Sequence, residues 1–147
     1  MKKYELLVDD TITFFGVQLF RIKALISFSG VKKGEVGGYV ASESNLSQYG
    51  DAWVYGNAEV YGNAEVYGDA RVYGNADYIV FKNTWSSGRY FTYTKSNKNW
   101  RVGCFYGSGA ELVEKAYKDS KKSGDFYKAY VDFVEKLEEI ENIHKEQ

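Results

Sequence analysis

The sequence contains no proline, a single cysteine, a single methionine and a single histidine. Without proline, turns fall to the 15 glycines and to Asn, Asp and Ser. One cysteine, Cys104, leaves no internal disulfide and fits a reducing compartment. Set between Gly103 and Phe105, it reads as core filler rather than as a nucleophile. The one histidine, His144, lies in a polar helical tail. One Cys and one His offer no zinc-ligand spacing, and a Ser-His-Asp arrangement has no second histidine to draw on. There is no P-loop and no G-x-G-x-x-G after a strand, so no cofactor is expected. No apolar run approaches the roughly 20 residues of a membrane helix, and no apolar leader follows the first residues, so a cytoplasmic protein is expected.

What is abundant is aromatic surface: 14 Tyr, 9 Phe and 3 Trp. Tyr suits half-buried positions, where one end of the ring meets water. The net charge of −1 hides an uneven distribution. Residues 36–76 carry one basic and five acidic groups, whereas residues 77–107 carry five basic and one acidic. A basic, aromatic-rich segment is therefore flanked by acidic ones.

From Gly50 the chain reads GDAWVY, GNAEVY, GNAEVY, GDARVY, GNADYI, five units of period six. Within each unit Ala-x-Val places small apolar residues on one side of a short extended piece, and Gly-Asn or Gly-Asp follows as a turn. A chain that turns the same way every six residues closes a triangle about every 18 and stacks its coils as parallel strands. Extended backwards, the register takes in Val36, Gly38, Val40, Ser42, Ser44, Leu46 and Gln48. The pattern resembles the left-handed parallel β-helix of hexapeptide-repeat proteins, and the handedness is what that resemblance implies. The expected organisation is α+β. Residues 1–35 form an N-terminal β cap, 36–80 a short β-helix, and 81–147 a three-stranded sheet with two helices. The strands are expected near residues 78–82, 89–94 and 100–105. Ser108 and Glu111 form a capping box for the first helix, Gly124 stops it, and Asp125 opens the second. The second helix carries an apolar stripe of Phe126, Tyr130, Phe133, Val134, Leu137 and Ile140, suited to the sheet or to a second subunit, so a homodimer is expected. Its acidic run (Glu135, Glu138, Glu139, Glu141, Glu146) reads as a solvated face or as a mimic of a phosphate backbone.

Two candidate surfaces follow. Stacking at a separation of 18 sets Tyr55 against Tyr73, Tyr49 against Tyr67 and Trp53 against Arg71, the last as a cation–π pair. Trp53, Tyr55, Tyr61, Tyr67, Arg71 and Tyr73 are the candidate partner-binding residues, because Tyr, Trp and Arg dominate binding hot spots. In the basic block, Lys82, Arg89, Tyr93, Lys98, Trp100 and Arg101 combine cations with stacking faces and are the candidate nucleotide or nucleic-acid contacts.

Two stretches carry a family resemblance. Val31-Lys-Lys-Gly-Glu-Val-Gly-Gly-Tyr-Val40, leading into Asn45-Leu-Ser47, is similar to the entry of phage and prophage hexapeptide-repeat proteins. Trp100-Arg-Val-Gly-Cys-Phe-Tyr-Gly107 with Glu111-Leu-Val-Glu-Lys-Ala-Tyr117 is similar to the module that follows such repeats. The resemblance implies an accessory protein acting in a bacterial host. Such a protein would inhibit a host defence protein or ribonucleoprotein, for example a Cas nuclease, by stoichiometric binding. The alternatives are a sponge for an immune signalling nucleotide and a hexapeptide acyltransferase. The second needs a histidine base that only His144 could supply.

Overall fold

In the computed structural model, which describes residues 2–145, the small residues of the repeat lie where the period puts them. Ala52, Ala58, Ala64 and Ala70 are buried together with Val54, Val60, Val66 and Val72, and they form the centre of one core. The expected parallel β-helix over 36–80 is not what forms around them. The described residues make three sheets and two helices. β1 (Tyr4–Phe14), β2 (Val17–Ala24), β3 (Val36–Val40) and β5 (Glu59–Val60) form a mixed sheet in the order β1-β2-β3-β5. β4 (Trp53–Val54) and β6 (Arg71–Val72) form a two-stranded parallel pair. β7 (Tyr78–Lys82), β8 (Tyr90–Thr94), β9 (Asn99–Val102) and β10 (Phe105–Ser108) form an antiparallel sheet.

The physical reason lies in strand length and register. Each repeat strand is two residues long, too short for a continuous ladder, and β5 is recruited by the N-terminal strands. The N-terminal segment is thus part of a sheet with the repeat and not a separate cap. The parallel partners also change separation. Val40 pairs with Val60 and Leu46 with Val66, 20 residues on, whereas Val54 pairs with Val72, 18 on. Two residues are therefore inserted between Leu46 and Val54. Upstream of that break the six-residue pattern fails: Val36, Ser42 and Ser44 are exposed, and Gln48 accepts from the Lys3 and Tyr4 amides. At the other end Ala76 is exposed, because Asp77 Oδ2 accepts from the Tyr73 and Gly74 amides and ends the repeat.

β3 approaches the repeat backbone closely. A Cβ on Gly38 would lie 2.5 Å from the Ala58 carbonyl oxygen, and one on Gly37 would lie 2.5 Å from that of Val54. Glycine is required here for contact and not for turning. The hairpin β1–β2 is tied to β3 by Arg21, which stacks on Tyr39 at 4.2 Å and donates to the Gly37 and Gly56 carbonyls. At the start of β1, Lys3 is buried and donates to the carbonyls of Gly50 and Ala52 beneath the Phe28 ring.

The second sheet is a layer between two cores. Along β7, Tyr78 and Val80 pack on the repeat core, while Ile79 and Phe81 pack on a second core. That second core joins Phe91, Tyr93 and Trp100 to Leu112 and Ala116 of α1 (Gly109–Asp119) and to Tyr127, Val131 and Val134 of α2 (Lys121–Lys145). The sheet has four strands where three were expected. Gly103, at φ +56°, turns the chain in the middle of the expected third strand and splits it into β9 and β10. Cys104 lies in that turn and is exposed, so it is not core filler. The Ser108–Glu111 capping box forms as expected. The helix boundary differs: α1 ends at Asp119 and α2 already begins at Lys121. Gly124 sits inside α2, where a Cβ would meet the Tyr117 ring at 2.1 Å, and it permits the two helices to cross closely. Asp125 is also internal, accepting from Tyr117 and Lys121. Glu146 lies outside the described residues.

Two stability experiments follow. Gly38→Ala drives a methyl into fixed backbone and is expected to cost about 1–3 kcal/mol in urea unfolding, the usual range for overpacking. An unchanged midpoint would refute the close approach. Burial lowers the Lys3 pKa from 10.5 to about 8, with Asp51 opposing. Between those values the unfolded chain binds more protons than the native one, so stability rises with pH across that window. Urea titrations between about pH 8 and 10.5 are expected to show this rise in the parent chain and its loss in Lys3→Met. Equal slopes in the two would contradict it.

Candidate binding face

The parallel β4–β6 register places Arg71 beside Trp53 and Tyr73 beyond Tyr55. Their surroundings differ sharply. Trp53 is buried, covered edge-on by Phe28 at 5.4 Å and Tyr4 at 6.3 Å. The N-terminal segment therefore removes Trp53 from the surface. This corrects its assignment as a partner contact, and its indole N–H has no hydrogen-bond partner among the described residues. Arg71, its register partner on β6, is left exposed. Its guanidinium turns to the Tyr73 hydroxyl, whose hydrogen bond raises its pKa, and not to the Trp53 ring. Tyr55 and Tyr73 stack as the spacing predicts, with centroids 4.5 Å apart and planes at 21°. Burial, then the neighbouring Tyr73, pushes the Tyr55 hydroxyl above its ordinary pKa. The pair is a neutral, flat platform with a cation at its edge.

This platform opens onto a cleft of about 470 Å³ shared with the second sheet and α2. Arg71 and Tyr73 form one wall, Lys95, Ser96 and Lys98 of the β8–β9 turn another, and Glu138 and Glu141 of α2 a third. Ser96 Oγ accepts from the Arg71 amide at 2.7 Å, which fixes the turn against β6. Lys95 pairs with Glu141 at 2.6 Å, and Lys98 pairs with Glu138. Burial pushes the Glu138 carboxyl up, but Lys98 and the Tyr93 hydroxyl outweigh it, and its pKa ends below the ordinary value. The cleft is thus lined by charges of both signs, and the nearby Asp69 carboxylate adds to the pull that raises the Arg71 pKa.

The other candidates are dispersed. Tyr61 is partly exposed, and Tyr67 is covered by the Arg101 guanidinium at 4.0 Å. Tyr49 remains largely exposed. In the basic block, Tyr93 and Trp100 are buried in the second core, which corrects their reading as stacking faces for a base. Lys98 is engaged by Glu138. Arg101 pairs with Glu65 at 3.1 Å while stacking on Tyr67, a staple between the repeat and the second sheet. Lys82 is exposed over the Tyr90 ring. Arg89 lines a different cleft, of about 660 Å³, with Lys115, Asn83 and Tyr127. The block is therefore not one surface. The period located Arg71, Tyr55 and Tyr73. The residues that complete their cleft (Lys95, Ser96, Asp77, Glu138 and Glu141) carry no local signal, because only tertiary packing brings the β8–β9 turn and the far half of α2 to the repeat.

Among the described residues, no group of three or more His, Cys, Asp or Glu is arranged to hold a metal ion. No helix among them is long and apolar enough to cross a membrane. In comparisons with known proteins, no family model matches the chain and no curated sequence matches it.

Arg101→Ala removes both the ion pair and the stacking contact. It is expected to lower urea stability by about 1–3 kcal/mol, the range for a charged hydrogen bond plus a cation–π contact. Arg101→Lys is expected to recover little, since an ammonium cannot stack as a guanidinium does. Full recovery by lysine would show that charge alone matters.

Proposed function

We propose that the protein is a stoichiometric binding protein which engages a protein component of a bacterial defence system through the Tyr55–Arg71–Tyr73 face, and that it performs no catalysis. The observation that carries this reading is the exposed Arg71 at the edge of a stacked tyrosine pair, beside a cleft with charges of both signs. Arg and Tyr of this kind supply hot-spot energy in protein interfaces. Mixed charge favours a folded protein surface over a polyanion, because Glu138 and Glu141 already occupy Lys98 and Lys95 and leave the cleft with little net charge. The defence context rests on the likeness of residues 31–47 and 100–117 to phage and prophage hexapeptide-repeat proteins.

The test is a phage-plating assay in bacteria that carry single defence systems, a CRISPR–Cas interference system first. The intact protein is expected to restore plating against at least one system and to co-purify with one of its components at fixed stoichiometry. Arg71→Glu and Tyr73→Ala are each expected to weaken that complex by about 2 kcal/mol or more, roughly 30-fold, without lowering thermal stability. Restoration that survives both substitutions would move the interface elsewhere. No restoration against any system would overturn the defence assignment.

A second reading, a nucleotide sponge, is favoured only by the Arg89 cleft. There Arg89 and Lys115 face an apolar floor of Val102, Phe105 and Leu112. Thermal shift with adenosine monophosphate and cyclic nucleotides decides it. A stabilisation lost in Arg89→Gln supports a sponge, and no shift from any nucleotide rejects it.

A further inference from the structure

The β7–β8 loop, the β9–β10 hairpin, α1 and the start of α2 enclose the cleft of about 660 Å³ that Arg89 lines, a volume usual for small-molecule sites. Val102 and Phe105 of the sheet and Leu112 and Ala116 of α1 make its floor apolar. Two hydrogen-bond donors in the cleft have protons to spare. The first is Arg89. Gly103 turns the chain at φ +56°, and a Cβ there would collide with Arg89 Nη1, so the missing side chain lets the guanidinium lie across the turn. No ion pair or hydrogen bond engages that guanidinium among the described residues. The second is Tyr127, 8% exposed and wedged edge-on against the Trp85 and Phe91 rings. Asn83, itself buried, gives its side-chain oxygen to the Trp85 and Ser86 amides, and its side-chain nitrogen donates to the Tyr127 hydroxyl. The phenol oxygen therefore accepts, and no acceptor takes its O–H among the described residues. Burial pushes this hydroxyl above its ordinary pKa, against the pull of Asn83 and Arg89, so it stays protonated.

We propose that this cleft binds a small monocarboxylate with an apolar body, the carboxylate held by Arg89 and the Tyr127 hydroxyl and the body lying on the floor. The charges select a monoanion. Lys115 is turned to Asp119 at 3.5 Å, and that pair adds no net charge, which leaves the single positive charge of Arg89. A phosphomonoester carries close to two negative charges at neutral pH and would bring the second near Asp119. The donors suit a carboxylate, whose oxygens take the guanidinium fork and keep a lone pair for a hydroxyl. The floor selects the body. Its side chains offer no hydrogen-bond partner to the edges of a base or to ribose hydroxyls, which would be buried unpaired. The cleft is the one the nucleotide reading uses, with a different ligand, and it is separate from the Tyr55–Arg71–Tyr73 face.

Cys104, the only thiol of the chain, is exposed at this cleft and reports its occupancy. Alkylation of Cys104 by iodoacetamide, followed by intact mass, is measured in the full chain with increasing phenylacetate. Phenylacetate is expected to protect the thiol saturably at millimolar concentration, whereas phenylacetamide, its neutral counterpart, leaves it reactive. Arg89→Gln is expected to weaken protection about tenfold or more, the worth of a charge-assisted hydrogen bond, and Tyr127→Phe, which keeps the ring, about fivefold. No protection by phenylacetate, equal protection by phenylacetamide, or protection unchanged in both variants overturns the proposal. Protection by cyclic adenosine monophosphate without any by phenylacetate also overturns it and returns the cleft to the nucleotide reading. Should the variants misfold, amide shifts of Leu112 and Ala116 in the parent chain decide. They are expected to move with phenylacetate and not with phenylacetamide, and any other pattern overturns the site.

Discussion

The structure depends on a narrow interior. Alanine and valine from successive repeats fill it completely, and nothing larger than a hydrogen atom fits where β3 crosses them at Gly37 and Gly38. Small side chains bring backbones together, and close backbones then form the short parallel pairings that two-residue strands sustain. A core of this kind has little apolar area per residue, and it gains the rest from its neighbours. The N-terminal hairpin covers one side with Tyr4 and Ile22. β7 covers another with Tyr78 and Val80. The repeat is therefore the centre of the molecule without being an independent unit.

The sequence made the inward residues of the repeat legible, because a period of six held over five units has few explanations. The Tyr55–Tyr73 stack and the Trp53–Arg71 pairing follow from the same arithmetic. The architecture around the repeat was not legible. The break between Leu46 and Val54 adds two residues in a stretch that still scans as alternating, and the strands are too short for pattern to say which sheet each one joins. Gly124 shows the ambiguity at the scale of one residue. A glycine after an amphipathic run reads as a helix stop, yet here it lets two helices touch. Trp53 shows it for function. Sequence pattern gave it the same outward position as Arg71, and only the packing of Phe28 and Tyr4 separates them.

The basic–aromatic block illustrates how a sheet with two covered faces sorts its residues. Odd positions of β8 (Phe91 and Tyr93) join the helical core, while Thr92 turns the other way and accepts from the Glu65 amide. Arg101 on β9 faces the repeat and Trp100 faces the helices. Cations and rings that alternate in sequence are thereby sent to opposite sides, and a segment that looks like a nucleic-acid surface becomes the middle layer of the protein. What the block leaves outside is Lys82, Arg89 and Lys98, each in a different setting, while the repeat presents one cation beside two stacked phenols.

The way the first strand is anchored bears on how the chain is made. Lys3 and Tyr4 both donate from their amides to Gln48, and the Tyr4 hydroxyl donates to the Leu46 carbonyl. These residues leave the ribosome more than forty residues ahead of their partners. The hairpin β1–β2 closes locally at once, but its edge waits for the repeat before it docks. Completion of the Trp53 cover consequently waits for residues 46–53 of the repeat and does not follow from the hairpin alone.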